Sequence, residues 1–261
     1  MLNKLLKTDL RKNLRWLWIL FACTILCAGI TKACNEFGKT MAFFGIVNIF
    51  FDSLFYALVA NSIIQPFIRN FFDFAKTLYG DEAYLTHTLP VTKNQIINSK
   101  YLTAIIEILL GFICAFVAIL IKFASPTLLT SLKQMLSMFI VGEFSVIFVI
   151  ILIIILIIIE FLMYISIIYF SIIMAYKSNE KKVLKAFLIT ALMAILSLTF
   201  LSIVLIIVFI ANGIDLSAET LILSSSMFMS IIIAGIITYL LITTLFYFLA
   251  KKEFNKGVNV D

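Results

Sequence analysis

The chain has 261 residues, 63% of them hydrophobic and 13% charged, with a mean hydropathy of +1.15 and a net charge of +6. A soluble domain is about half apolar and about a quarter charged, so the composition excludes an ordinary water-soluble enzyme or nucleic-acid-binding domain. Runs of about twenty apolar residues recur along the whole length, the mark of an all-α, polytopic membrane protein. Basic residues fall in clusters between those runs, as in cytoplasmic loops rather than on a nucleic-acid face. Cys23, Cys27, Cys34 and Cys114 lie in or beside apolar segments, without disulfide or zinc spacing, and are expected to behave as small buried hydrophobes. No cleavable signal peptide is expected, because a long amphipathic segment precedes the first apolar run and no small-residue cleavage site follows it.

In residues 1–15, Leu2, Leu5, Leu6, Leu10 and Leu14 recur at helical spacing, and Lys4, Lys7, Arg11, Lys12 and Arg15 fill the other face. This predicts an amphipathic interfacial helix at the membrane surface. Span one is expected over 16–33, with Trp16 and Trp18 at headgroup level. Phe37-Gly38-Lys39-Thr40 matches only the tail of a phosphate-binding loop, with no strand before it and no first glycine.

Span two is expected over 41–64, with Asp52 near its middle and Pro66 as its end. The Phe-rich stretch that follows is amphipathic and is expected to form a second interfacial helix, stopped by Gly80. Asp81 can cap a short helix through Leu89, which Pro90 breaks. Thr92 and Gln95 then form a capping box, with Val91 and Ile96 placed as a hydrophobic staple. A helix starting there can continue through Ser99 and Lys100 into span three, over 101–121.

Ser125-Pro126 belongs to an external loop, and the apolar run over 137–176 is too long for one span of about twenty residues. Two spans would put Lys177, Lys181, Lys182 and Lys185 outside, against the positive-inside rule, so one span preceded by a break near Gly142-Glu143 is expected. Spans five (183–211) and six (221–250) follow, joined by an external loop with Asp215 and Glu219. All three prolines, Pro66, Pro90 and Pro126, are assigned to loops. With six spans and both termini inside, 16 of the 20 Lys and Arg residues are cytoplasmic, leaving Lys32, Lys39, Lys122 and Lys133 outside.

Asp52, Glu107 and Glu160 fall within spans, where a charge costs about 3 kcal/mol unless it faces protein or water. They are the candidates for a polar translocation path, and no Lys, Arg or His is expected deep enough to pair with them. His87 is the one histidine and stands in the loop after span two, so neither a triad nor a metalloprotease motif can be assembled. No complete P-loop exists either. ATP, if it drives this protein, is bound by another chain.

The run from Tyr79 to Thr92, with Ile96, Ile97, Ser99 and Lys100 after it, resembles the first cytoplasmic loop of type 2 ABC exporter permeases of Gram-positive bacteria. A Tyr-Leu-Thr stretch (Tyr84 to Thr86) precedes a Leu-Pro-Val-Thr element (Leu89 to Thr92), and a Ser-Lys pair leads into span three. The resemblance implies a single permease domain over 1–261, in the cell membrane with both ends cytoplasmic. It implies pairing with a second permease copy or paralogue and with cytoplasmic ATPase subunits, and no cofactor on this chain. The loop over 66–100 would be the coupling element, with Glu82, Tyr84, Leu85, Leu89 and Pro90 as ATPase contacts. A peptide or drug is the expected substrate. Short external loops depart from the mechanotransmitting members of the family, which carry large extracellular domains. The rival expectation is an ion-coupled secondary transporter using the three intramembrane carboxylates; it calls for broken spans and repeated halves, and neither is visible. A membrane enzyme is disfavoured by the missing motifs.

Overall fold

Each long apolar run forms one long helix in the computed structural model, which describes residues 2–38, 41–80, 82–88, 90–123, 130, 134, 146–178, 181–212 and 225–256. Six of the helices are long and apolar enough to cross a membrane, and no strand occurs among the described residues. The chain is an all-α, multi-pass membrane protein. Its contacts divide it into two compact units, Met1–Leu128 and Leu129–Asp261.

The first unit holds α1 (Leu2–Gly38), α2 (Ala42–Tyr79), the short α3 (Ala83–Thr88) and α4 (Lys93–Phe123). The side chains set the register. Cys27 Sγ meets Phe51 O at 3.8 Å and Cys114 Sγ meets Phe21 O at 3.8 Å, while Cys27, Ala28, Phe55 and Ala118 share one buried cluster. Thus α1 and α4 run parallel, with α2 antiparallel to both. Cys23, unlike the other three cysteines, is exposed.

Two expectations are corrected here. Residues 2–15 are not a separate interfacial helix; they are the first turns of α1, a 37-residue helix about 55 Å long. No glycine or proline stands between Leu2 and Ala28 to end it, and Leu14 of its leucine face packs with Leu110 and Cys114 of α4. Nor does Pro66 end span two, since α2 continues through it for 38 residues and takes in the Phe-rich stretch. Pro66 is therefore not a loop residue. Gly80 does stop α2, its N–H donating to Lys76 O at 3.1 Å.

An interior proline leaves the carbonyl four residues back without its helical partner, here that of Ser62. That carbonyl lies against Gly111 of α4, where an added Cβ would stand 2.4 Å from Ser62 O and 3.3 Å from Pro66 Cγ. The missing side chain lets two backbones touch where the helix is weakest. We expect Gly111→Ala to force them apart and destabilise the first unit by about 1–3 kcal/mol, as overpacking does. A thermal melt of the variant coinciding with that of the parent protein would refute the close approach.

The Thr92–Gln95 box forms as expected: Thr92 N–H donates to Gln95 Oε1 at 3.3 Å, and Gln95 N–H to Thr92 Oγ1 at 3.4 Å. From it α4 runs unbroken for 31 residues. The expected Asp81 cap and the Ser125-Pro126 loop lie outside the described residues.

The second unit holds α5 (Val146–Ala175), α6 (Lys182–Ala211) and α7 (Ser225–Asn255). One span therefore occupies the described part of the long apolar run; the proposed break at Gly142-Glu143 and the loop with Asp215 and Glu219 lie outside the described residues. Val149 packs with Met229 and Ile232 at one end, Phe170 meets Phe246 at 5.5 Å, and Lys177 pairs with Glu253 at the other. Hence α5 and α7 run parallel, with α6 antiparallel. Lys181, which caps α6, adopts the left-handed conformation (φ 50°), uncommon for a residue with a side chain.

Candidate functional site

The end of the first unit that carries α3 is held by a chain of alternating charges. Asp9 and Lys12 are one turn apart on α1 and turn toward α2 and α4. Lys100 Nζ of α4 lies 3.0 Å from Asp9 Oδ1 and 2.7 Å from Asp73 Oδ2 of α2, and Ser99 Oγ donates to Asp9 Oδ2 at 3.2 Å. Lys12 Nζ lies 3.1 Å from Asp73 Oδ1 and 2.9 Å from Glu82 Oε2, and Lys76 approaches Glu82 at 3.6 Å. The sequence Asp9, Lys100, Asp73, Lys12, Glu82, Lys76 thus links all three long helices to the root of α3. Lys100 has only 5% of its side chain exposed, and a buried ammonium is tolerable only when paired in this way.

Glu82 precedes α3, whose Thr86 N–H and Oγ1 both donate to the Glu82 carbonyl at 3.0 and 2.9 Å. The hydrogen bond from Lys12 holds the Glu82 carboxyl below its ordinary 4.5, against the opposing effect of partial burial. A depressed carboxyl stabilises the folded form above its ordinary value and loses that contribution as pH falls through the lowered one. The Glu82 contribution to the clasp is therefore present at neutral pH and lost as acid protonates the carboxyl.

The five loop candidates do not share one environment. Glu82 turns inward to Lys12 and Lys76, whereas Tyr84 on α3 is 75% exposed and Pro90 is exposed. Leu85 stands in α3 with its side chain outside the described set, and Leu89 lies outside the described residues. Beside the clasp is a cavity of about 480 Å³ lined by Lys4, Thr8, Lys12, Glu82, Pro90 and Val91 among others.

Within the first unit Asp52 and Glu107 are not brought together, and Glu160 belongs to the second unit. Glu107 is fully buried and accepts a hydrogen bond from Asn70 Nδ2 at 2.9 Å. The buried Asn13 amide faces the same carboxyl without closing a bond to its second oxygen. Asp52 corrects a third expectation, because it has a cationic partner: Lys122 Nζ of α4 stands 2.8 Å from Asp52 Oδ1. Lys122 also lies 4.4, 4.1 and 5.2 Å from the ring centroids of Phe55, Tyr56 and Phe123, and Asn48 donates to Asp52 at 3.2 Å. From Glu107 to Lys122 the helix rises about 22 Å, so the two polar layers stand toward opposite edges of a hydrocarbon core about 30 Å thick. Glu160 is half-buried on α5 of the second unit, near Tyr164 and Tyr239.

Asp9, Lys12, Asp73, Lys76 and Lys100 were not singled out as a group by sequence reasoning. The available signal was Asp9 as the lone acid on a basic helix and Asp73 on the margin of an aromatic face. Comparison with known proteins finds no matching family, no similar characterised protein and no similar solved structure. Among the described residues, no three His, Cys, Asp or Glu side chains gather where they could hold a metal.

Proposed function

We propose that this chain is the membrane-spanning permease subunit of an ATP-driven exporter of the type 2 ABC class. It works with a separate cytoplasmic ATPase and a second permease copy or paralogue, in the cell membrane with both termini cytoplasmic. The observation that carries the reading is the attachment of α3. This short helix exposes Tyr84, is rooted through Glu82 in the charge ladder, and leads through a capped turn into the unbroken α4. A load on α3 is delivered to α1 and α2 through Lys12 and Lys76, and to α4 through the backbone. Tyr84, Leu85, Leu89 and Pro90 are the ATPase contacts in this reading, and Glu82 fixes the angle at which they are presented. A peptide or drug remains the substrate class proposed. Ion coupling is less well supported, because Lys122 already neutralises Asp52.

The reading requires an ATPase to co-purify after mild detergent extraction, and its absence would sink the proposal. With that complex in hand, Glu82→Lys and Leu89→Asp should preserve ATP hydrolysis yet lower export roughly 2- to 30-fold, the range of coupling changes of about 0.5–2 kcal/mol. Undiminished export by both variants would remove α3 from the mechanism.

A further inference from the structure

The outward face of α1 changes character once along its length. Lys4, Lys7, Arg11, Arg15 and Trp18 recur every three or four residues, so they form one stripe, and all are exposed. The same stripe continues through Ala22, Ile25, Leu26 and Gly29, also exposed. Above Trp18 it is cationic; below it is hydrocarbon. None of the four cations has an ion pair among the described residues, while Asp9 and Lys12 on the flank are engaged in the ladder. Among the described residues, Asp9, Asp73 and Glu82 at this end are turned to the ladder and neutralised, which leaves the described part of the stripe with positive charge not paired to an acid.

Trp18 marks the depth of the change, since indole rings settle at the headgroup level. Arg15 stands about 4.5 Å above it and Arg11 about 10 Å above it along the helix. The headgroup layer extends roughly 5–8 Å beyond the hydrocarbon on each side, so Arg15 stands at phosphate depth and Arg11, just above the layer, reaches it along its flexible stem. A guanidinium matches a phosphate with two parallel hydrogen bonds. Lower down, Ala22 and Gly29 leave room beside the helix, with nothing within 4 Å of a Cβ placed on Gly29. A soluble acidic protein would meet only the upper half of such a stripe. A molecule with an anionic head and a hydrocarbon tail meets all of it.

We infer that this face of α1 is a binding site for an anionic glycerophospholipid, with the headgroup phosphate between Arg11 and Arg15, Trp18 at its glycerol level and an acyl chain along Ala22 to Gly29. The site is independent of the exporter reading and stands whether or not an ATPase binds. Lys4 and Lys7 lie beyond the phosphates and enrich the anionic lipid through their field, as basic clusters flanking a span do.

The test uses the full-length protein in nanodiscs of dioleoyl-phosphatidylcholine containing a trace of labelled dioleoyl-phosphatidylglycerol or labelled phosphatidylcholine, with native mass spectrometry counting the lipid retained on release. Wild type should retain phosphatidylglycerol in preference to phosphatidylcholine. Arg11→Gln with Arg15→Gln should lower that preference roughly thirtyfold, Arg11→Lys with Arg15→Lys should keep part of it, and Lys93→Gln, an exposed cation elsewhere, should leave it unchanged. Equal melting temperatures across the set confirm that the variants fold; should the glutamine pair fail to fold, the lysine pair carries the test, and a preference equal to wild type would then count against the bidentate site. Equal retention of the two lipids by wild type overturns the proposal. So does a glutamine pair that retains phosphatidylglycerol undiminished while losing an acidic protein partner, which would reassign the stripe to that partner.

Discussion

Lys100→Met is expected to destabilise the first unit by about 3–5 kcal/mol, the cost of removing one partner from a buried ion pair. The ammonium sits between two carboxylates, at 3.0 Å from Asp9 and 2.7 Å from Asp73, with 5% of its side chain exposed. Methionine nearly matches lysine in length, so little packing is lost and the effect isolates the charge. What remains is two largely buried acids facing one another, with Lys12 and the Ser99 hydroxyl to attenuate them. The contrast within the ladder is part of the expectation. Lys12 has 43% of its side chain exposed, so Lys12→Met should cost no more than about 1 kcal/mol in the same assay. Adding Asp9→Asn and Asp73→Asn to Lys100→Met removes the stranded charges and should recover much of the loss. The measurement is the midpoint of thermal unfolding in detergent. A Lys100→Met midpoint equal to that of the parent, or a triple variant worse than the single, would show that the ladder does not hold this end together.

The features legible in the sequence were those written in local chemistry. Apolar runs of span length, the Thr92–Gln95 box and the Gly80 stop each involve neighbours a few residues apart, and each forms. Boundaries were harder, because local rules name what can end a helix and tertiary packing decides whether it does. Pro66 has the ordinary signature of a terminus, yet α2 passes through it where Gly111 admits the neighbouring backbone. The first fifteen residues have the pattern of a surface helix, but an apolar face suits a neighbouring helix as well as a lipid interface, and here Leu14 packs against α4. The ladder was least accessible. Its partners stand as far apart as 91 residues for Asp9 and Lys100 and 70 for Lys12 and Glu82, and a single chain carries no sign of such pairings. Glu82 was identified as an ATPase contact, and its pairing with Lys12 and Lys76 was not.

The second large effect is expected at the opposite polar layer and is asymmetric. Asp52→Ala leaves Lys122, with 9% of its side chain exposed, as an uncompensated cation at the edge of the apolar region. At the helix centre such a charge costs about 2.5–3.5 kcal/mol, which sets the upper bound at this edge. The aromatic rings around Lys122 retain a share of that, about 0.5–2 kcal/mol for a cation over a π face, so a net loss of about 1–3 kcal/mol is expected. Lys122→Met should be milder. Asp52 is 33% exposed, keeps its hydrogen bond from Asn48, and can reach water. The double variant Asp52→Ala with Lys122→Met removes both charges and should be more stable than Asp52→Ala alone, a coupling that thermal unfolding of the three proteins measures directly. Losses that simply add would mean that the pair is not an interacting unit. The double variant also separates the two readings of the carboxylate. If Asp52 binds a coupling ion, no restoration of stability brings transport back. If it serves to neutralise Lys122, then under the proposed transport function a protein lacking both should transport as the parent does, because the layer is then a structural pair set where two helices leave the hydrocarbon.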